Sequence, residues 1–419
     1  MNIFALIIIS IKSLFSHTAR TILTLLGIIV SVMAIMSVVT MGESFQSYVS
    51  NEIEAFGTDV IQVEPSLPET SHVSTENASS MAMGAQITTL TEDDAKALAL
   101  LPNVMAYNTG LLGQARARYK DVKRYVTLLG SSADAPLVDP GVEIAYGRFF
   151  SEEEHRTSEN VIVLGSTVAE ALFGTAVGDD VIGTRVTLND NRYKVVGILK
   201  ERGASFGFSF DDMIYMPHTT LQKKILGVDY LGYVTFKVRD VTKIDQTAED
   251  MRIILRSRHE IDKPSEDDFS AMTIIEAQDM FDTILGGVNI LLLALASISL
   301  VVGGIGIMNI MLVSIEERRM EIGLRKALGA RKKDVVKQFV IESIVIACAG
   351  SVIGIVITTI LLSLAFSAIR YAGFDDIHFF IPTRAILVAM IFSVTAGVVF
   401  GVYPARRAAE ISPMQAISS

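Results

Sequence analysis

The sequence contains no tryptophan and only one cysteine, Cys348, among its 419 residues. A single thiol cannot form an intramolecular disulfide, and in an apolar segment it is interpreted as a small hydrophobic side chain. Every folded region must therefore be stable through its own apolar core. The chain has 36 basic and 46 acidic residues, and its mean hydropathy is +0.44. This hydropathy is that of a membrane protein.

Motifs for catalysis and for cofactors are also absent. The sequence has no G-x-x-x-x-G-K-[ST] phosphate loop, no H-E-x-x-H and no G-x-S-x-G. The acidic run Glu152 to His155 follows Ser151, and Ser151 with Glu154 matches a helix capping box. A metal site there is the weaker interpretation because no second ligand cluster is evident. We therefore expect a non-catalytic chain with no catalytic residue, metal or cofactor of its own.

Charged residues are missing from four long windows. A membrane-spanning helix needs about 20 apolar residues, and the windows 21–41, 284–315, 343–369 and 385–405 contain no Asp, Glu, Lys or Arg. The third predicted span begins earlier, at 338. The second window exceeds one bilayer thickness, so it is expected to tilt or to continue outside the membrane. A signal peptide is the alternative for the first window, but that window is too long for one and no A-x-A site follows it.

The charge of the connecting segments predicts the topology. Residues 42–283 carry 22 basic and 38 acidic residues, whereas the segments 1–20, 316–337 and 406–419 have a basic excess. The positive-inside rule places these three segments in the cytoplasm. The sequence therefore predicts one span, a large extracytoplasmic domain, and three further spans joined outside by 370–384. Both termini would be cytoplasmic.

The segment 42–283 is predicted to be α+β. Its first part, 42–56, continues the first span as a helix, and 65–91 is interpreted as a mobile loop because it is rich in Ser, Thr and Glu. Further helices are expected at 91–101 and 168–173. Alternating or short apolar runs predict strands at 59–64, 123–130, 160–165, 192–199, 213–216 and 233–238.

The loop between the second and third spans is patterned. Between Ser314 and Lys337 it carries eight basic and four acidic residues. Met320, Leu324, Ala327 and Leu328 fall on one face of a helix. Beside that face, Glu321 and Arg325 are spaced to pair, and Gly329 follows as a helix stop. Two interpretations remain open: an amphipathic helix that docks into a partner's groove, or a solvated loop that only fixes orientation.

Small residues in the spans predict close helix packing. Both Gly350-x-x-x-Gly354 and Gly397-x-x-x-Gly401 have the spacing that allows helices to approach closely. We expect the same role for the glycines of the second span, which are Gly303, Gly304 and Gly306. No ionisable residue lies within the charge-free windows, which argues against a proton-coupled transporter.

Several of these segments resemble one family. The run SIEERRMEIGLRKALGARKKDVVKQFVIESI and the tail GVYPARRAAEISPMQAI resemble the cytoplasmic motifs of MacB/FtsX-like ABC transporter permeases. In the exported segment, GRFF, VIVLGSTVAEALFG, YKVVGILKERG and IYMP are similar to the MacB-type periplasmic core. The resemblance covers nearly the whole chain and is most specific in the loop after the second span.

The resemblance implies a permease of the bacterial inner membrane that works with ATP-binding subunits. It implies two ATPase copies that bind ATP and Mg²⁺, and a second permease subunit, with a homodimer expected. Because the sequence starts directly before its first span, the ATPase is expected on a separate chain. The loop would contain the coupling helix. Its ATPase-coupling residues would be Glu316, Glu317, Arg318, Arg319, Glu321, Leu324, Arg325, Lys326 and Leu328.

The implied mechanism is mechanotransmission, in which ATP-driven closure of the ATPases is passed along the helices to the exported domain for efflux. A periplasmic adaptor and an outer-membrane channel are possible further partners in the family, besides membrane lipid; nucleic acid is not expected. The exported domain would have two lobes, 58–135 with 230–275 and 136–229. Lipoprotein release or control of a cell-wall hydrolase is the alternative within the family. A membrane-anchored sensor or enzyme without an ATPase is the alternative from another class.

Overall fold

A computed structural model describes residues 18–68, 88–174, 177–205, 208–371 and 380–412. The chain divides into two compact units, one formed by 1–48 with 282–419 and the other by 49–281. Parts of four predicted segments lie outside the described residues. They are the N-terminal amphipathic segment 1–20, the loop 65–91, the outer loop 370–384 and the tail 406–419.

Of the helices in the described residues, four are long and apolar enough to cross a membrane. The first, α1, spans Thr18–Phe56 and precedes the α+β domain. The other three follow that domain: α8 at Ile274–Glu317, α10 at Lys332–Tyr371 and α11 at Thr383–Glu410. The predicted arrangement of one helix plus three is therefore confirmed. Helix α8 begins ten residues before the predicted span at 284, since it starts directly after the last strand of the α+β domain.

The membrane unit has one apolar core. It combines side chains of α1, such as Ile28 and Met36, with side chains of α8, such as Ile307 and Met311. Ala405 near the end of α11 belongs to the same cluster. Packing in lipid cannot rely on excluding water, so these contacts must come from close-fitting surfaces.

The α+β domain is built on one large sheet. Among the described residues, ten strands pair in the order β12-β1-β11-β2-β3-β10-β5-β7-β4, and β6 pairs with β2 and β7. These strands are β1 Val60–Pro65, β2 Val104–Tyr119, β3 Val122–Ser131, β4 Ile144–Gly147, β5 Val161–Leu164, β6 Arg185–Leu188, β7 Asn191–Leu199, β10 Met213–Pro217, β11 Tyr233–Val238 and β12 Phe269–Thr273. A small separate hairpin comprises β8 Ala204–Ser205 and β9 Phe208–Ser209.

Six α-helices accompany the sheet within the described ranges. They are α2 Glu92–Ala99, α3 Ala135–Val138, α4 Glu152–Arg156, α5 Ser166–Phe173, α6 His218–Leu221 and α7 Ile244–Arg258. Capping boxes start α2 at Thr91 and α4 at Ser151, where each hydroxyl accepts from the backbone N–H three residues later. The local sequence thus determines where these two helices begin.

The two largest apolar cores among the described residues of the domain do not follow the predicted lobe boundary. The first core contains Ile61 and Phe236 with α2 and α7. The second core contains Tyr193 and Ile214, but it also includes Leu111 and Leu128, which lie within the predicted first lobe. The reason is that β2 is a continuous strand of 16 residues. Its first half pairs with β11 in one lobe, and its second half pairs with β3 in the other.

Candidate functional site

The patterned loop forms a short helix, α9, at Arg319–Ala327. Only Arg318 separates α9 from the end of α8 at Glu317. At its other end, the N–H of Ala330 donates to the carbonyl of Arg325, and the N–H of Gly329 donates to that of Lys326. These two bonds form a Schellman motif, and Gly329 has the positive φ of 98° that the motif requires. The helix is therefore defined at both ends.

One side of α9 is anchored in the membrane unit. Ile322 is 5% exposed, and Gly323 is buried beside it. Ile322 shares an apolar cluster with Ile315 of α8 and Phe339 of α10. This anchor was not predicted from the sequence, because Ile322 does not belong to the apolar repeat that begins at Met320. The only sequence signal was an isoleucine on the opposite face of a short helix.

The predicted apolar face points away from the protein. Met320 is 70% exposed, Leu324 is 55% exposed and Leu328 is 81% exposed, and Ala327 is exposed as well. These four residues are hereafter called the apolar face of α9. Three large apolar side chains held outward on a short, anchored helix form a surface suited to an apolar groove.

Polar contacts fix the side of α9 that borders this apolar face. The Arg325 guanidinium pairs with the Glu321 carboxylate at 2.5 Å, across the predicted i, i+4 spacing. The same guanidinium donates to Oε1 of Gln338 in α10 at 2.9 Å. Arg325 therefore links α9 to α10 as well as bridging along α9.

Lys326 links α9 to the end of α11. Its Nζ donates to the carbonyl oxygen of Ala409 at 2.8 Å and to that of Ile411 at 2.6 Å. The last carbonyls of a helix lack partners within the helix, and a lysine is a favourable donor to them. Burial, with a smaller contribution from Lys332, lowers the pKa of Lys326 from its usual value. The lysine thus acts as a fixed donor between two helices.

The junction between α8 and α9 carries the other predicted charges. Arg319 pairs with Glu316 at 3.0 Å, and Arg318 pairs with Glu342 at 3.4 Å. Glu342 is 5% exposed, so its charge is compensated mainly by Arg318. Glu317 is exposed at the end of α8. Sequence reasoning missed Gln338 and Glu342 as partners because both lie on α10, outside the patterned loop.

The glycines of the spans lie where helices approach each other. A Cβ on Gly303 would lie 2.9 Å from the backbone of Gly27 in α1, closer than real Cβ contacts allow. A Cβ on Gly350 or Gly354 would meet Ile28 or Val32 of α1 at 2.9 Å. These three glycines therefore pack α1 against α8 and α10.

Three further glycines, Gly304, Gly397 and Gly401, pack α11. A Cβ on Gly397 would lie 2.8 Å from Cβ of Ala347 in α10, and one on Gly401 would overlap Ser343. Gly304 faces the ring of Phe400 in α11. Gly306 is half-buried, and no close approach is described for it.

A second polar cluster lies buried in the α+β domain. His155 of α4 and His218 of α6 approach each other with Nε2 and Nδ1 at 2.9 Å, and Thr109 Oγ1 lies 2.7 Å from the same Nδ1. Burial, reinforced by His218, lowers the pKa of His155 to about 4, and the His218 imidazole, whose Nε2 lies 3.6 Å from the Glu92 carboxylate, lowers the pKa of Glu92 to about 2. Within the described ranges, no group of three His, Cys, Asp or Glu residues is placed to hold a metal ion.

Comparison with known proteins covers both parts of this chain. A family model described as the MacB-like periplasmic core domain matches residues 21–254. A second model, described as the FtsX-like permease C-terminal region, matches residues 293–413 and includes α9.

Curated relatives extend the match along the chain. The macrolide export ATP-binding/permease protein MacB of Azoarcus sp. is 34% identical over 390 residues, which are 91% of this chain and 54% of that protein. The protein of the same name from Marinobacter nauticus is 32% identical over 419 residues, covering 98% of this chain and 60% of that protein. The chain thus spans little more than half the length of these relatives.

Two solved structures are similar to part of this chain. The periplasmic region of MacB from Actinobacillus actinomycetemcomitans has a TM-score of 0.45 and 18% identity, and the match covers 55% of this chain and 95% of that one. The extracellular domain of the noncanonic ABC-type transporter YknZ from Gram-positive bacteria has a TM-score of 0.40 and 20% identity. That match covers 51% of this chain and 100% of the other one.

Proposed function

The chain belongs to the MacB/FtsX-like family of ABC transporter permeases, and we propose that its helix α9 is the element through which ATP hydrolysis is coupled to the membrane helices. The observation that carries this proposal is the apolar face of α9. Leu324 and Leu328 point outward, while Ile322 on the opposite side fixes the helix to the membrane unit. A surface that is both apolar and rigidly mounted can receive a force and pass it on.

Three covalent or polar connections would distribute that force. Helix α8 is unbroken over 44 residues, from the residue after β12 to Glu317, and only Arg318 separates it from α9; its length is about 66 Å at 1.5 Å per residue. Arg325 connects α9 to α10, and Lys326 connects it to the end of α11. A displacement of α9 would therefore reach all three helices that follow the α+β domain.

The membrane helices support transmission rather than a polar pathway. Their charge-free stretches pack through glycines at Gly303, Gly350 and Gly397. Cargo would then be moved by changes in the α+β domain outside the membrane. Export is the activity that we propose, in line with the names of the relatives.

The assembly that we propose contains two permease chains and two ATP-binding units. The relatives are named ATP-binding/permease proteins, and the 419 residues contain no phosphate loop, so ATP and Mg²⁺ would bind outside this sequence. The chain is a multi-pass protein of the inner membrane. We propose that α9 faces the cytoplasm, because its loop carries eight basic residues against four acidic ones.

Purification from native membranes tests this proposal. The full chain, tagged and extracted from its own host in a mild detergent, should carry a protein or domain with a phosphate loop, and the preparation should hydrolyse Mg-ATP. A folded chain at normal membrane levels that purifies without ATP-binding protein and without ATPase activity would contradict the proposal.

A further inference from the structure

The two faces of the sheet differ where β2, β3, β6 and β7 meet. On one face, residues such as Ala117, Val126 and Val186 are buried in the second apolar core. On the other face, the alternating side chains are exposed to solvent, and Arg118 and Lys123 are among them. Alternation of this kind is normal for a sheet with one solvated face. The unusual feature of this face is that many of its exposed side chains are basic.

The exposed side chains form rows of positive charge. Arg118 lies opposite Lys123 on β3 and opposite Thr187 on β6, and Thr187 in turn lies opposite Arg192 on β7. Neighbouring strands are about 4.8 Å apart, so this row crosses four strands within roughly 15 Å. Further basic residues flank the row on the same face. We call the exposed basic residues the basic face; its members are Arg116, Arg118, Lys123, Arg185, Arg192 and Lys194.

The sign of this charge is opposite to that of the domain. Residues 42–283 contain 38 acidic and 22 basic residues, yet the exposed positions of these strands on this face include no Asp or Glu. The nearest acids in sequence, Asp121 and Asp190, lie in the turns that join the strands. A face that served only for solubility would be expected to mix both signs.

The arrangement also has an energetic cost. Arg118 lies directly opposite Lys123, and Arg185 lies directly opposite Lys194, and like charges in such pairs destabilise a sheet. By contrast, Arg124, which follows Lys123 in sequence but lies on the other face of β3, pairs with Asp212 at 2.7 Å. Within the part of the chain that the structure describes, none of the six members of the basic face forms an ion pair.

The surface chemistry favours a protein as the ligand. Four of the six basic residues are arginine, and Tyr125, which lies opposite Arg116, is 79% exposed. Arginine and tyrosine are the residues enriched at protein interfaces and their energetic centres. A small anion would need a concave site with converging donors, whereas the basic face consists of extended strands.

We propose that the basic face is a docking surface for an acidic segment of another protein. An acidic helix with carboxylates at i and i+4 spaces them about 5–6 Å apart, which fits the strand spacing of the row through Arg118. Tyr125 supplies an apolar and aromatic contact beside the charges. This surface is separate from α9, and its role does not depend on ATP coupling.

The test uses the full chain in nanodiscs of neutral lipid with fluorescent poly-L-glutamate as the probe. The test variant is Arg118→Gln with Lys123→Gln and Arg192→Gln. The matched control is Lys200→Gln with Lys243→Gln and Lys263→Gln. It removes the same charge from exposed lysines of the same domain whose ion pairs with Glu143, Asp240 and Glu266 are at the surface. Such exposed pairs contribute little to stability, so both variants should fold.

We expect the basic-face variant to weaken probe binding roughly tenfold and to reduce its salt dependence, since rim and surface charges act mainly through long-range attraction. The control should stay within about twofold of the unmodified chain. Equal weakening by both variants, or no binding by the unmodified chain, would overturn the proposal. So would preferential binding of tripolyphosphate or of anionic lipid vesicles, because either result would assign the face to phosphate rather than to protein.

Discussion

Lys326 of α9 donates a hydrogen bond to the carbonyl oxygen of Ile411, 2.6 Å away and just beyond the end of α11. Together with the bond to Ala409, it connects the helix that we propose docks the ATPase to the last membrane helix. The lysine is not part of the apolar face. We propose that it positions α9 and carries motion onward.

Replacing Lys326 by Met should separate docking from coupling. The variant keeps a similar side-chain length but loses two charge-assisted hydrogen bonds, which are worth about 1–3 kcal/mol. We expect normal membrane levels and retained ATP-binding protein, but ATP hydrolysis that no longer responds to cargo and a lower unfolding temperature. Lys332→Met is the matched control, because Lys332 is an exposed lysine at the start of α10. Equal behaviour of the two variants would count against a positioning role.

Substitution of Gly303 tests the helix packing. In Gly303→Val the side chain would collide with the backbone of Gly27, and forcing apart a tight interface costs about 1–3 kcal/mol. The same change at Gly287, earlier in the same helix, meets no atom within 4 Å. The thermal stability of the purified chain should fall for Gly303→Val and stay near the original value for Gly287→Val. If both variants unfold at the same temperature as the unmodified chain, the close approach of Gly303 to Gly27 is not structurally important.

Acid should loosen the α+β domain near His155. The pKa of this imidazole is lowered to about 4 from 6.5, so between these values the unfolded chain binds a proton that the folded chain does not. Stability is therefore complete above pH 6.5 and falls as the pH decreases toward 4. At pH 5 the loss should be on the order of 2 kcal/mol.

Hydrogen exchange in peptides covering α4 and β2, compared at pH 7 and pH 5, measures this effect. The difference between the unmodified chain and His155→Gln isolates the imidazole. That comparison matters because Asp134 and Glu152 have raised pKa values and titrate in both chains with the opposite effect on stability. Glu92, with a pKa of about 2, loses its contribution only below its usual 4.5. An identical response of the two chains would contradict a destabilising protonation of His155.

The sequence was sufficient for the elements that depend on local patterns. Charge-free windows located the four long helices, and the capping boxes at Thr91 and Ser151 marked where two helices begin. The spacing of Met320, Leu324 and Leu328 predicted that they share one face of α9, whereas the exposure of that face is a finding of the structure. These features depend on residues that are close in sequence.

Long-range contacts were harder to predict. Strand β2 contains Gly110 and Gly113, and glycines at such positions suggest that a strand is interrupted there. In the fold, Gly110 instead makes room for the ring of Tyr233, and Gly113 faces Leu221. Because β2 continues from one core into the other, the division between the cores differs from the predicted lobe boundary. For the same reason, the anchors of α9 at Glu342 and Ile411 could not be recognised before the helices were packed.

The proposed coupling requires that the apolar face of α9 binds an ATP-binding protein or domain. The variant Leu324→Asp with Leu328→Asp removes two exposed anchors while leaving Ile322 in place. Leu100→Asp is the matched control, because Leu100 is 85% exposed in the α+β domain. The few residues that dominate an interface cost about 2 kcal/mol or more each when they are removed, and they lie at its desolvated centre.

The measurement is the amount of ATP-binding protein and ATPase activity retained per permease after detergent extraction, at equal membrane levels. We expect the Leu324/Leu328 double variant to lose most of the ATP-binding protein and most of the ATPase activity. The Leu100 variant should retain both. Unchanged retention in the double variant would contradict the assignment of α9 as the coupling helix.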